Sequence, residues 1–270
     1  MDNIFDTYLR IGNGTNYTVT NNLNLSGSGG FVWTKERNSN NSHAIFSTNI
    51  PDVSGKRPFV ITNTSNQKGT ASNIDIQFNS NGYQWQGDDG LINQSSGNTY
   101  VDWSFRKCPG FVDVVTYTAT TASSGDTQTI NHNLGSIPGL IMVKRTDAEG
   151  DWVVYHRSLG NAGYLRLNEN STVATGQDQF DQTDPTASSF KIENAGTSGA
   201  NLGHDGAEYI AYVFAGGGST ASTAKSVSFD GSDDSLEISD HSDFDISSGD
   251  FTIEFWIKPG STANQNNVLV

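Results

Sequence analysis

Residues 209–214 read Tyr-Ile-Ala-Tyr-Val-Phe, and residues 100–105 read Tyr-Val-Asp-Trp-Ser-Phe. A strand turns successive side chains to opposite faces. Ile210, Tyr212 and Phe214 therefore share one face, and Tyr209, Ala211 and Val213 share the other. With both faces apolar, this stretch reads as a strand covered on two sides. In the earlier stretch Val101, Trp103 and Phe105 hold the equivalent apolar face. Asp102 and Ser104 predict a wetter second face there, less covered than its counterpart in 209–214.

Working outward, the two stretches are separated by an offset of 109 that recurs through the chain. It places Tyr8 on Tyr117, Thr20 on Thr129, Asn22 on Asn131, Leu25 on Leu134, Gly30 on Gly139, Lys35 on Lys144 and Gly97 on Gly206. A unit of about a hundred residues is longer than a solenoid repeat and has the size of a small domain. The chain thus opens with two copies of one module, at 1–107 and 108–215. Phe31-Val32-Trp33 and Leu140-Ile141-Met142-Val143 are matching apolar runs that predict central strands. Each runs into a turn-prone stretch, 35–41 or 144–151, and an aromatic-rich run returns at Ala44-Ile45-Phe46 or Trp152-Val153-Val154-Tyr155. That is the pattern of a β-hairpin. Residues 111–118 open the second copy as a strand, Pro138 precedes a buried run without breaking a ladder, and the polar stretch 171–189 reads as loop.

Composition agrees with an all-β chain. Its 270 residues carry 29 Gly, 14 Phe, 9 Tyr and 5 Trp and no long amphipathic helical pattern. The formal net charge of −14 sets it against phosphate backbones and anionic membranes. No run approaches 18 apolar residues, so no membrane insertion is expected. The first residues lack the basic region and apolar core of a signal peptide. Cys108 is the single cysteine, so no intrachain disulfide forms, and it reads as a small residue at a module boundary. The Asn-x-Ser/Thr triplets at Asn16 and Asn170 are those expected by chance in so Asn-rich a chain.

After Phe214, residues 216–224 form a Gly/Ser linker. A third pattern follows over 225–270. Val227-Ser228-Phe229 and Leu236-Glu237-Ile238 predict short strands, and Phe251, Ile253, Phe255 and Ile257 alternate onto one face. About forty-five residues do not close a sandwich core, so the protein is expected to continue or to borrow strands from a neighbour.

Several stretches together carry a resemblance. Gly30-Phe-Val-Trp-Thr-Lys-Glu-Arg37 followed by His43-Ala-Ile-Phe46, then Phe78-Asn-Ser-Asn-Gly-Tyr83, Gly97-Asn-Thr-Tyr-Val-Asp-Trp103, Asn131-His-Asn-Leu-Gly135 and residues 152–156 and 209–214, are similar to a β module of marine bacteriophage tail proteins. The resemblance covers about residues 5–216. One departure is Ser47-Thr-Asn-Ile-Pro51, where such modules often carry an acidic, Arg-Gly-containing run. Residues 227–231 and 249–258 resemble the opening of a laminin-G-like, concanavalin-A-like jelly roll, a family that often binds carbohydrate or protein. Only its first strands are present, so no ligand or calcium residue carries over.

No residue is singled out as catalytic or metal-binding. The histidines at 43, 132, 156, 204 and 241 lack zinc spacing. His132 reads as a turn stabiliser, and His156 as a partner for a neighbouring loop. Asp230, Asp233, Asp234, Asp240, Asp243 and Asp245 lack a regular calcium-ligand spacing and read as turn residues. Asp250 and Glu254 lack the multi-carboxylate strand pattern of a glycosidase. Gly12-Asn-Gly14 and Gly216-Gly-Gly218 precede no Gly-Lys-Ser/Thr and are not phosphate loops. Trp33, Trp103 and Trp152 are expected in the core, and Trp85 is expected at the surface, where it would be placed to stack on a sugar. No cofactor is expected.

The resemblance implies a structural, non-enzymatic virion protein, a tail fibre or tail-associated adhesin assembled in the host cytoplasm. Its partners would be other tail proteins, further copies of itself in a homo-oligomer such as a trimer, and a host-surface glycan or protein reached through a distal region. A capsid-attached fibre or decoration protein, and a polysaccharide depolymerase, are the alternatives.

Overall fold

The computed structural model describes residues 3–95, 97–175, 179–196 and 200–217. The third sequence pattern, with its Asp cluster, Asp250, Glu254 and His241, lies outside the described residues, as does the linker beyond Gly217. The described residues all fall in one compact unit.

The first half runs Phe5–Ile11 (β1), Tyr17–Thr20 (β2), the helical turn Leu25–Ser28 (α1), Gly30–Glu36 (β3), His43–Ser47 (β4), Phe59–Ile61 (β5), Ile74–Asn79 (β6), Gly82–Gly87 (β7) and Thr99–Arg106 (β8). The second half runs Val112–Thr118 (β9), Thr127–Asn131 (β10), Pro138–Arg145 (β11), Trp152–His156 (β12), Gly163–Arg166 (β13), Ala174–Thr175 (β14), Ser189–Glu193 (β15) and Glu208–Ala215 (β16). All ladders are antiparallel. The large sheet of the first half has the order β1-β8-β3-β4-β5, and that of the second β14-β13-β12-β11-β16-β9. Each half adds a small sheet, β2-β7-β6 or β10-β15. The predicted hairpins are β3–β4, with Trp33 opposite Ile45, and β11–β12, with Met142 opposite Val154.

Alternation along the large sheets feeds two cores at once. In the first half Val32, Ala44, Phe46 and Ile61 pack against Val19, Ile74, Ile76, Tyr83 and Trp85 of the small sheet. In the second, Ile141, Val143, Val153, Tyr209, Ala211 and Val213 pack against Ile130, Phe190 and Ile192. The intervening residues fill a third core between the two large sheets. There Phe31, Ile45, Ile50 and Val60 meet Val112, Val114, Met142, Trp152, Val154, Ile210 and Tyr212. The result is four sheet layers with three cores, the middle one shared by the two halves. Phe31 stacks on Phe105 at 4.5 Å and meets Tyr212 edge-on at 4.8 Å across this seam.

Polar groups lock the seam. The Trp152 indole donates to the Ile61 carbonyl at 2.8 Å, and the Asn49 amide donates to the Val114 carbonyl at 2.8 Å. Lys107 pairs with Asp113 at 3.0 Å. Lys35 and Lys144 play one role in the two copies, donating to carbonyls of the hairpin loop that follows: Ser39 and Asn41 for Lys35, Arg145 and Gly150 for Lys144. Lys144 alone also reaches across to Ser65 at 3.1 Å and is fully buried. Burial lowers its pKa to about 8. At the start of β3, Gly30 has φ of 153°, and a Cβ there would lie 2.1 Å from the Phe105 carbonyl oxygen.

The structure corrects three expectations. First, the offset of 109 does not hold for the first strand. Tyr8 lies opposite Asp102, and it is Val115, not Tyr117, that lies opposite Ala211. Tyr117 faces Tyr209 and so takes the place of Arg10, which faces Tyr100. The first strand has slipped by two residues, which keeps every side chain on its own face. Second, Asp102 and Ser104 are both fully buried, whereas Val101, Trp103 and Phe105 are only half-buried. The face predicted to be wet is the covered one. Third, Trp85 is fully buried, and Trp33 and Trp103 are half-exposed; Trp152 is buried as expected. The loop 171–189 also holds an apolar anchor, Phe180, in the second-half core.

Candidate functional surface

The burial of Asp102 has a direct cause. Its carboxylate accepts from Arg10 Nε at 2.7 Å, Thr34 Oγ1 at 2.6 Å, the Tyr83 hydroxyl at 2.9 Å and the Trp85 indole at 2.9 Å. Both side chains of the Arg10–Asp102 pair are fully buried. The guanidinium lies over the rings of Tyr100 at 4.5 Å, Trp85 at 5.3 Å and Tyr17 at 5.6 Å. β1 supplies the cation, β8 the anion, and β7 the two aromatic donors. Burial together with the Asp102 charge holds the Tyr83 hydroxyl far above the ordinary tyrosine range. Every lone-pair direction of the carboxylate is occupied by protein, so this knot is structural and offers nothing to a substrate. In the sequence it is signalled only by one charge of each sign on two strands that become partners. The second copy fills the same place with stacked Tyr117 and Tyr209, 5.0 Å apart, and with Ala211 for Asp102.

The histidines settle into local roles. His132 Nδ1 accepts from the Leu134 amide at 3.2 Å and so fixes the turn after β10; burial pushes its pKa down. His156 Nδ1 accepts from the Ser158 amide at 3.2 Å and caps the loop after β12. His204 is exposed, and the pKa of His43 is lowered by burial and by Lys35. Cys108, at the joint of the two halves, shares a β-bridge with Val112 of the second half and is a free thiol. Among the described residues no group of three or more His, Cys, Asp or Glu side chains is placed to hold a metal ion. No described helix is long and apolar enough to cross a membrane.

Two open features lie along the seam and the sheet that leads into it. One is a hollow of about 370 Å³ at the seam, lined by Ile50, Pro51 and Val53 from one half and by Thr116, Thr118 and Tyr209 from the other. The Lys68–Glu208 pair, at 2.6 Å, also lines it. Tyr209 donates its hydroxyl to the Asn201 carbonyl, and Tyr117 donates to Leu202, so both are engaged in the fold. The other is the outer part of the first large sheet. Phe5, Leu9 and Ile11 of β1 are exposed, and Val101, Trp103 and Trp33 beside them are half-exposed. This is the same face that, further along the sheet, enters the shared core.

A family model described as a domain of unknown function, DUF7483, matches residues 2–235. The chain belongs to the DUF7483 family. No curated protein and no solved structure matches it. The DUF7483 match runs through both copies without a break, in keeping with halves that share a core. It extends past Phe214 across the Gly/Ser stretch.

Proposed function

We propose that this DUF7483 chain is a structural virion protein of a bacteriophage, a tail fibre or tail-associated adhesin. It is assembled in the host cytoplasm and carries a distal host-recognition region. The observation that supports this reading best is the fusion of the duplicated module through a shared aromatic core. A duplication joined in this way transmits force between its halves without a hinge, as a mechanical spacer requires. Its fully buried charge pair, Arg10–Asp102, is sealed inside the fold and contributes rigidity. The resemblance of its motifs to phage tail modules supports the same reading. In this reading other tail proteins hold the chain, and a host-surface glycan or protein is met by the region that follows.

Immunogold labelling of purified phage particles with antibody against residues 1–216 tests the proposal. Gold on the tail is the expected result. Gold on the capsid would move the protein to the capsid-attached fibres. Particles that carry no label would overturn the virion reading, and release of reducing ends from host capsule by the purified protein would then establish a depolymerase.

A further inference from the structure

The exposed part of the first large sheet has a covered counterpart within the same chain. Its side chains form rows across the strands: Phe5-Phe105-Phe31, then Thr7-Trp103-Trp33-Ile45, then Leu9-Val101-Lys35. The equivalent rows in the second half are Val112-Phe214-Leu140, Val114-Tyr212-Met142-Val154 and Thr116-Ile210-Lys144. There Val112, Val114, Tyr212, Met142 and Ile210 are buried against the first half. In the first half the corresponding Phe5, Thr7, Trp103, Trp33 and Val101 face solvent wholly or in part. Leu9 and Ile11 are 60% and 63% exposed.

The internal duplication therefore shows what this kind of face receives: the large sheet of another module of the same kind. Among the described residues no further module of this kind covers the face. We propose that a second copy of this chain supplies one, the two β1–β8 faces packing sheet on sheet about a two-fold axis.

Two further observations favour this occupant. The open face is continuous with the seam, because Phe105 stacks on Phe31 and Trp103 meets Trp33 edge-on at 5.8 Å. An exposed apolar patch of this kind marks an interaction site rather than ordinary surface. In a chain of net charge −14, these rows carry no carboxylate and a single cation, Lys35, tied to Ser39 and Asn41. Two copies can thus meet here without opposing their acidic surfaces. A contact of one patch with itself is isologous and closes at two chains, unlike the trimer that fibre symmetry alone would favour. The inference does not depend on the virion reading, since it concerns the mass of the purified chain and not its place in a particle.

Sedimentation equilibrium of the full chain at micromolar concentration tests it. The expected mass is twice the 29.0 kDa of one chain. Leu9→Glu with Ile11→Glu should halve that mass and leave the thermal midpoint within a few degrees. Ile137→Glu, at an exposed apolar position of the second half, should leave the mass unchanged. Mixing the Glu pair with a Leu9→Lys/Ile11→Lys pair should restore the two-chain mass, which a misfolded variant would not do. A one-chain mass for the parent protein would overturn the proposal, whatever then covers the face. So would a three-chain mass, a two-chain mass that survives the Glu pair, or a failure of the mixed pairs to associate.

Discussion

Asp102 and Tyr212 occupy opposite extremes of polar burial. Asp102 has three neutral donors and a buried cation, so removing it leaves Arg10 charged and unpaired in the core. Breaking a buried pair by deleting one partner costs about 3–5 kcal/mol. Asp102→Ala should lower the denaturation free energy by that amount, as urea titration would measure. A loss under about 1 kcal/mol would mean that water reaches Arg10 and that the knot is not sealed. Tyr212 is fully buried in the seam, and its hydroxyl finds no partner among the described residues. Burial raises its pKa far above the ordinary value. Removing an unsatisfied buried hydroxyl while keeping the ring relieves about 1 kcal/mol. Tyr212→Phe should therefore raise the urea midpoint, and a clear fall would reveal an acceptor for that hydroxyl. These two residues also mark what the sequence could convey. Tyr212 was legible because alternation alone places it on a covered face. Asp102 was misread because a carboxylate is nearly always exposed unless paired, and its partner, Arg10, is 92 residues away in the chain. Trp85 was misread for the same reason, since its flanking glutamines look wet while its indole is held by that distant carboxylate.

The β11–β12 hairpin gives the clearest pH signature at the scale of an element. Lys144 closes its loop by donating to the carbonyls of Arg145 and Gly150, and Ser65 of the first half completes the set. Its pKa falls from the ordinary lysine value to about 8 because burial penalises the charge. Between about pH 8 and the unfolded lysine value, the unfolded chain binds more protons than the native one, so stability rises with pH. Lys144 by itself contributes about 1.5 kcal/mol of that rise between pH 8 and 9.5. From about pH 9.5 upward the sign reverses. Buried Tyr83, Tyr209 and Tyr212 and half-buried Tyr117 have raised pKa values, so they stay neutral in the fold and ionise on unfolding. Urea midpoints measured across this range should climb and then fall, and Lys144→Met should abolish the climb. A flat profile in the parent protein would mean that Lys144 keeps an ordinary pKa. The hairpin itself was legible, since Lys35 and Lys144 match at the repeat offset and each precedes a turn-prone stretch. The burial of only one of them was not legible, because it depends on a loop of the other half. The two-residue slip of β1 against β9 was equally hidden, since alternation is preserved by any even shift.

At the scale of the whole described unit, duplication and fusion make different predictions about unfolding. Two modules joined by a strand end would melt independently, each with its own core. Here each half leaves one face of its large sheet to be covered by the other. Parting them would expose Phe31, Ile45, Val60, Met142, Trp152, Ile210 and Tyr212 together. Burying one such side chain is worth about 1.5–3 kcal/mol, so the separated halves would lose much of a small domain's 5–15 kcal/mol. Residues 3–217 should therefore unfold as one cooperative body. Hydrogen exchange on the Asp102→Ala variant measures this directly. The substitution lies in the first-half core, remote from β10 and β15. In a cooperative body the most protected amides of β11 and β16 lose the same free energy as those of β3 and β8, because all exchange through one global opening. If β11 and β16 kept the parent protection while β3 and β8 lost theirs, the seam would be a contact between two independent folds. The shared core would then transmit no load, and the mechanical argument for a fibre component would lose its structural basis.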